Sequence, residues 1–263
     1  MNMTSSLKLS CASLFVVLTC YTSSIFAQEP APSPMSAAEL AGHIAAASQG
    51  SALIRTRLEV QSPEGKRVLQ LQLKQRRIKN TTDVVYEVLW PNELKGGAVI
   101  LHQSGSTAKG SIMVPGQPVR EIKPSQMGEG LFDSDLAYED AVENFFAWKK
   151  QSVVGAEQIN GVNCQILESK PDSSSASIYA KVRSWIDPRR FVPLRIEKYS
   201  SSGGLVRRID VTRVARDEKH NPIPANLTVR GPRKNSVTEF TGVHIDQDVN
   251  FTDTDFAPAG PSR

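Results

Sequence analysis

The sequence predicts a mainly β protein of the α+β class. Its core is one strongly curved antiparallel sheet, an incomplete barrel with an N-terminal helix and a mid-chain helix as plug and lid. Three observations carry this. Apolar and polar residues alternate with a period of two through most of the chain after Gly50. Turn signals such as Asn160-Gly161 and Ser202-Gly203-Gly204 recur at hairpin spacing. No long crossover helices separate the strands, which argues against a parallel α/β sheet.

The elements follow in order. Lys8 is the sole charge before Glu29, and Leu14-Phe15-Val16-Val17-Leu18 forms the core of an apolar run. That run is too short to span a bilayer, so residues 1–27 read as a secretory signal peptide cut after Ala27, implying an exported protein. A lipid anchor on Cys20 is the weaker alternative, because Thr19 stands where a processing box carries a small residue. Residues 28–35 form a Pro-rich linker, 36–256 a single folded domain and 257–263 a disordered tail.

The first helix starts at a capping box, Ser36 with Glu39, and a hydrophobic staple, Met35 with Leu40. Leu40, Ile44 and Ala47 share one face, and Gly50 is a natural stop. Strand candidates are 53–60 and 68–74 around the turn at Ser62–Gly65, then 83–90, 97–103, 110–114 and 118–123. After a helical interruption come 152–157, 162–168, 178–186, 193–200, 205–214, 223–230 and 236–245. The turn signals predict a sheet of about eleven strands.

The interruption is GLFDSDLAYEDAVENFF, residues 130–146. Tyr138, Ala141, Val142, Phe145 and Trp148 recur at helical spacing, which predicts a helix from about Leu136 to Lys149 with Asp135 as its N-cap. Its acids belong at a wet N-terminal end and its aromatics over the sheet.

Composition bounds the chemistry. With 40% hydrophobic and 22% charged residues the chain is globular and not disordered. The net charge of +4 is spread along the chain, and the short clusters at Arg76–Lys79 and Arg230–Lys234 do not predict nucleic-acid binding. Cys11 and Cys20 leave with the signal peptide, so Cys164 stands alone as a buried, inert thiol. Asp133-Ser134-Asp135 opens like a calcium loop, but Ala137 and Tyr138 stand where an oxygen ligand and a glycine are needed. His43, His102, His220 and His244 show no ligand spacing, so no metal is expected. Gly105 to Ser111 is no phosphate loop, since its lysine and glycine are in the wrong order. No G-x-S-x-G elbow is present, and Ser104 and Ser106 read as turn residues. Asp133 and Asp135 are the one pair that acid–base chemistry would use. Capping, or ion pairing to a strand arginine, is the simpler reading.

An apolar surface with a lid remains. Leu69, Leu71, Leu73, Val99, Leu101, Ile166 and Ile196 on strands, with Leu40, Ile44, Phe145 and Phe146 on helices, are the candidate lining of a cavity for acyl chains. Each buried methylene is worth about 0.8 kcal/mol, and carriage needs neither a catalytic group nor a cofactor.

Leu131-Phe-Asp-Ser-Asp135-Leu-Ala-Tyr138-Glu139-Asp140 resembles a signature of the LolA-like outer-membrane lipoprotein-sorting proteins. Ile159 to Leu167, Trp185-Ile-Asp187 and Pro193 to Tyr199 are also similar to that family. The resemblance implies a periplasmic half-barrel closed by helices, with a hydrophobic cavity that shields lipid or lipoprotein acyl chains. It implies an inner-membrane donor, an outer-membrane acceptor and a monomer. It transfers no catalytic residue, and Asp133, Asp135, Tyr138, Glu139 and Asp140 carry over as structural. Two readings compete with carriage: a non-catalytic scaffold module of an envelope complex, and a carboxylate hydrolase around Asp133–Asp140.

Overall fold

The computed structural model describes residues 34–172 and 177–258. The expected signal peptide, most of the linker and most of the tail lie outside them. No helix among the described residues is long and apolar enough to cross a membrane.

The first helix, α1 (Ala37–Ala47), forms as the caps dictate: Ser36 Oγ accepts from the Glu39 amide and the Glu39 carboxylate accepts from the Ser36 amide. Leu40, Ala41 and Ile44 are its buried residues, whereas Ala47, expected on the same face, is exposed. Gly50, with φ +99°, starts the first strand in a conformation that a side chain resists.

Thirteen strands follow, two more than the expected number, because every candidate segment pairs. The first six are β1 (Gly50–Ser62), β2 (Gly65–Ile78), β3 (Thr81–Trp90), β4 (Ala98–Ser104), β5 (Thr107–Met113) and β6 (Arg120–Ile122). The other seven are β7 (Lys150–Ile159), β8 (Val162–Lys170), β9 (Lys181–Asp187), β10 (Val192–Tyr199), β11 (Leu205–Arg216), β12 (Pro222–Arg230) and β13 (Val237–Gln247). They form one sheet in the order β6-β5-β4-β3-β2-β1-β13-β12-β11-β10-β9-β8-β7, with every paired neighbour antiparallel. Turn chemistry fixes the hairpins. Asn160 (φ 49°) and Gly161 (φ 80°) both take the left-handed conformation that a two-residue hairpin between Ile159 and Val162 requires.

The topology positions everything else. Each half of the chain is a meander, and the halves join where β1 pairs with β13. The strands at the break in sequence, β6 and β7, are therefore the two open edges, and the sheet does not close into a barrel. Residues 123–149 must travel from one edge to the other, and they do so across the inner face. Leu69 of β2 and Val229 of β12 share one hydrophobic cluster although β1 and β13 lie between them, which requires a curled sheet.

The crossing segment is not one helix. It holds a short helix, α2 (Tyr138–Val142), and single 3₁₀ turns at Leu131–Asp133 and Phe145–Ala147. The helix expected over Leu136–Lys149 breaks at Glu143-Asn144, because the two ends of its apolar stripe have different partners. Tyr138 and Val142 pack on β1–β4, while Phe145 packs on Tyr179 and Val182 at the other side of the sheet. The N-cap is Ala137, whose amide donates to the Asp140 carboxylate at 2.7 Å, and not Asp135.

Candidate ligand site

The expected cavity lining divides among several clusters. Leu69, Leu71, Leu73, Val99 and Leu101 all face inward, and Met127, Leu131, Tyr138 and Val142 of the crossing segment fill most of the space above them. Leu40 and Ile44 pack with Leu167 and Ile186 in a separate cluster, joined by Phe146. Phe145 and Ile196 sit with Tyr179 and Val182. Ile166 lies on the opposite face of β8 from Leu167, in an outer cluster with Ile159, Cys164, Trp185 and Leu194. Both faces of β8 are apolar, so alternation alone did not say which faced the hollow.

An unfilled apolar pocket of about 240 Å³ survives at the β2–β5 end. Leu69, Val88, Val99 and Ile112 form its wall, and Phe132 and Tyr138 reach it from the crossing segment. Consecutive left-handed residues, Phe132 (φ 51°) and Asp133 (φ 50°), shape that end of the segment. Arg67 of β2 secures the bend: it donates to the Phe132 carbonyl, and its Nη1 lies 3.1 Å from Asp133 Oδ2. Arg233 Nη2 donates to the Asp133 carbonyl at 2.7 Å. Arg67, Asp133 and Arg120 are the charged residues of the lining. A second cavity of about 280 Å³, between the Lys79-Asn80 turn and Trp148, is edged by Lys149, Glu143 and Asp172 and does not suit an acyl chain.

The motif acids are not at a wet end. Asp133 is exposed, but Asp135 and Glu139 are buried and the Asp140 side chain is fully buried. Asp135 Oδ2 accepts from Ser236 Oγ at 2.8 Å and Thr238 Oγ1 at 2.9 Å, anchoring the segment to the β12–β13 hairpin. Asp140 bridges Lys198 of β10 at 2.6 Å and Arg207 of β11 at 3.0 Å, and Tyr179 Oη donates to it at 2.7 Å. Arg207 also donates to Tyr179 Oη and to the Asp135 carbonyl. Burial works to raise the Asp140 carboxyl, but the Lys198 and Arg207 charges outweigh it and hold it below the ordinary carboxylate range. Burial pushes Glu139 up to about 7, against hydrogen bonds from Ser177 and the Ile178 amide. These carboxylates staple the cover to the sheet, and the acids that sequence spacing grouped together face different partners.

The fold also collects one group that spacing did not reveal: potential ligand atoms of Glu218, His244 and Asp246 lie within 4.8 Å of one another on the exposed surface. Cys164 is buried, and burial pushes its thiol up to about 11, far from a reactive thiolate.

The geometry defines a class: an open antiparallel half-barrel whose inner face is crossed by a stapled segment, with an apolar pocket at one end. Solved structures share the fold. A DUF1329 family protein from Desulfovibrio piger superimposes with a TM-score of 0.76 at 17% identity, covering 84% of this chain and 95% of that one. A putative outer membrane lipoprotein-sorting protein domain from Vibrio parahaemolyticus gives 0.75 at 17% identity, with the same two coverages. A LolA superfamily protein from Nitrosomonas europaea gives 0.66 at 17% identity, covering 86% and 99%. The fold is LolA-like. A family model described as "uncharacterized protein" matches residues 115–260, more than half of the chain, and the chain belongs to that family. No curated protein matches the sequence.

Proposed function

We propose that the protein is a periplasmic, non-catalytic carrier that shields an acyl chain of a lipid or lipoprotein in the β2–β5 pocket, passing it from an inner-membrane donor to an outer-membrane acceptor. The observation that carries this is the unfilled apolar pocket beside an inner-face cluster that the crossing segment covers. At roughly 30 Å³ per water-sized group, the pocket takes on the order of eight methylenes. That is worth about 6 kcal/mol of transfer free energy before ordering costs. The motif carboxylates support the same reading from the other side: Asp135 and Asp140 bind groups of the sheet and its hairpins, which holds the cover in place.

Ile112 lines the pocket and is only partly buried, so Ile112→Trp fills the space with little damage to the core. Native mass spectrometry of gently purified protein is expected to show a co-purifying lipid, and uptake of a fluorescent fatty acid is expected to fall at least tenfold in Ile112→Trp. Uptake unchanged by that substitution, or no lipid and no uptake in the parent protein, would sink the proposal.

A further inference from the structure

We infer that the pocket selects a single-chain amphiphile with an oxyanion headgroup, held at the mouth by Arg120. The inference rests on the carrier reading and narrows its ligand.

Size comes first. A pocket of about 240 Å³ lies below the range of roughly 300–1,000 Å³ typical of sites that enclose a drug-sized molecule. One short chain segment fits, and two or three side by side do not. The apolar residues Leu71, Leu73 and Leu101 give no extension of it, because they are buried in the cluster that the crossing segment covers.

Charge comes second. Of the three charged residues in the lining, Arg67 and Asp133 neutralise each other at 3.1 Å. Arg120 is left over. It is exposed, and its side chain makes no hydrogen bond or ion pair among the described residues. Its place is set by register. Arg120 pairs directly with Ile112 across the β5–β6 ladder, and residues directly opposite in an antiparallel pair project to the same face. Ile112 lines the pocket, so Arg120 stands over the same opening from the open edge of the sheet. Glu121, next to Arg120 in β6, projects to the opposite face of the sheet, and Glu129 is engaged by the Gln126 amide at 3.3 Å. A free guanidinium above an apolar hole matches an amphiphile whose head is a carboxylate or a phosphate, either of which it binds as a planar fork.

Calorimetric titration of the intact protein at low salt with octanoate, octyl phosphate, octanol and octylammonium tests this. The acids are expected to bind about tenfold tighter than octanol, with octylammonium weakest. Arg120→Ala is expected to bring the acids down to the alcohol, and Arg120→Glu to turn the preference toward octylammonium, with unchanged unfolding midpoints. A tighter phosphate or a tighter carboxylate assigns the head and supports the inference in either case. Equal binding of acid and alcohol by the parent protein, or an acid preference kept in both variants, overturns the headgroup inference and leaves the carrier reading standing. Failure of all four to bind overturns both.

Discussion

Lys198 Nζ lies 2.6 Å from Asp140 Oδ1, and neither side chain exposes more than 2% of its surface. Arg207 stands on the other oxygen of the same carboxylate at 3.0 Å. One residue of the crossing segment thus pairs with two buried cations from adjacent strands. The cover cannot leave the sheet without stranding charge in a dry interior, which is far more costly than breaking an exposed ion pair.

Asp140→Ala is therefore expected to destabilise the fold by about 3–5 kcal/mol, the cost of leaving a buried charge without its partner. Urea unfolding measures it. A loss below 1 kcal/mol would show that the staple does not hold the cover.

Glu139 gives a pH signature with a definite sign. Its folded pKa, near 7, lies above the ordinary 4.5, so the folded state holds more protons than the unfolded one between those values. Stability from this group is present below about 4.5 and lost as pH rises through 7, with a slope of at most about 1.4 kcal/mol per unit. Asp140 has the opposite sense: its contribution is present above the unfolded carboxylate value and lost as pH falls through the lower folded one. Melting temperatures from pH 4.5 to 8 should show a flatter profile for Glu139→Gln than for the parent, with the variant the more stable at pH 8. Parallel profiles would refute the assignment.

Gly130→Ala tests the loop that begins the motif. A Cβ at Gly130 would lie 2.1 Å from the Ser134 carbonyl oxygen, a backbone atom that cannot step aside. The expected loss is about 3 kcal/mol, the upper end of overpacking costs, visible in the unfolding midpoint. An alanine tolerated without loss would mean that this tight turn is not kept in solution.

Leu40→Ala measures how α1 is held. Leu40 is fully buried against Leu167 and Ile186, so its truncation is expected to cost about 2–5 kcal/mol. Ser36→Ala removes only the cap and is expected to cost about 1 kcal/mol. Similar losses from the two would show that the helix is held by its cap and not by packing.

What the sequence determined by itself is the local structure. Ser36 and Glu39 cap the helix through bonds three residues apart, and Asn160-Gly161 turns a hairpin through its own backbone preference. Period-two alternation and turn signals marked the strand segments, and the motif around Asp133–Asp140 pointed to the LolA-like fold. Those signals reside in neighbouring residues, so no distant partner was needed to read them.

Only the tertiary structure decided the cover and the pocket. Asp140 meets Lys198 fifty-eight residues away, and Asp135 meets Thr238 across one hundred and three, so burial of those acids could not be read from their surroundings in the chain. Other distant partners, Tyr179 and Val182 against Phe145, broke the expected helix after Val142. Whether Ile166 or Leu167 faced inward depended on which face of the sheet the curvature enclosed, and both residues are apolar. How much of the hollow stays empty depends on where Tyr138 and Val142 come to rest, because packing is a property of several elements at once and alternation in one strand carries no record of it.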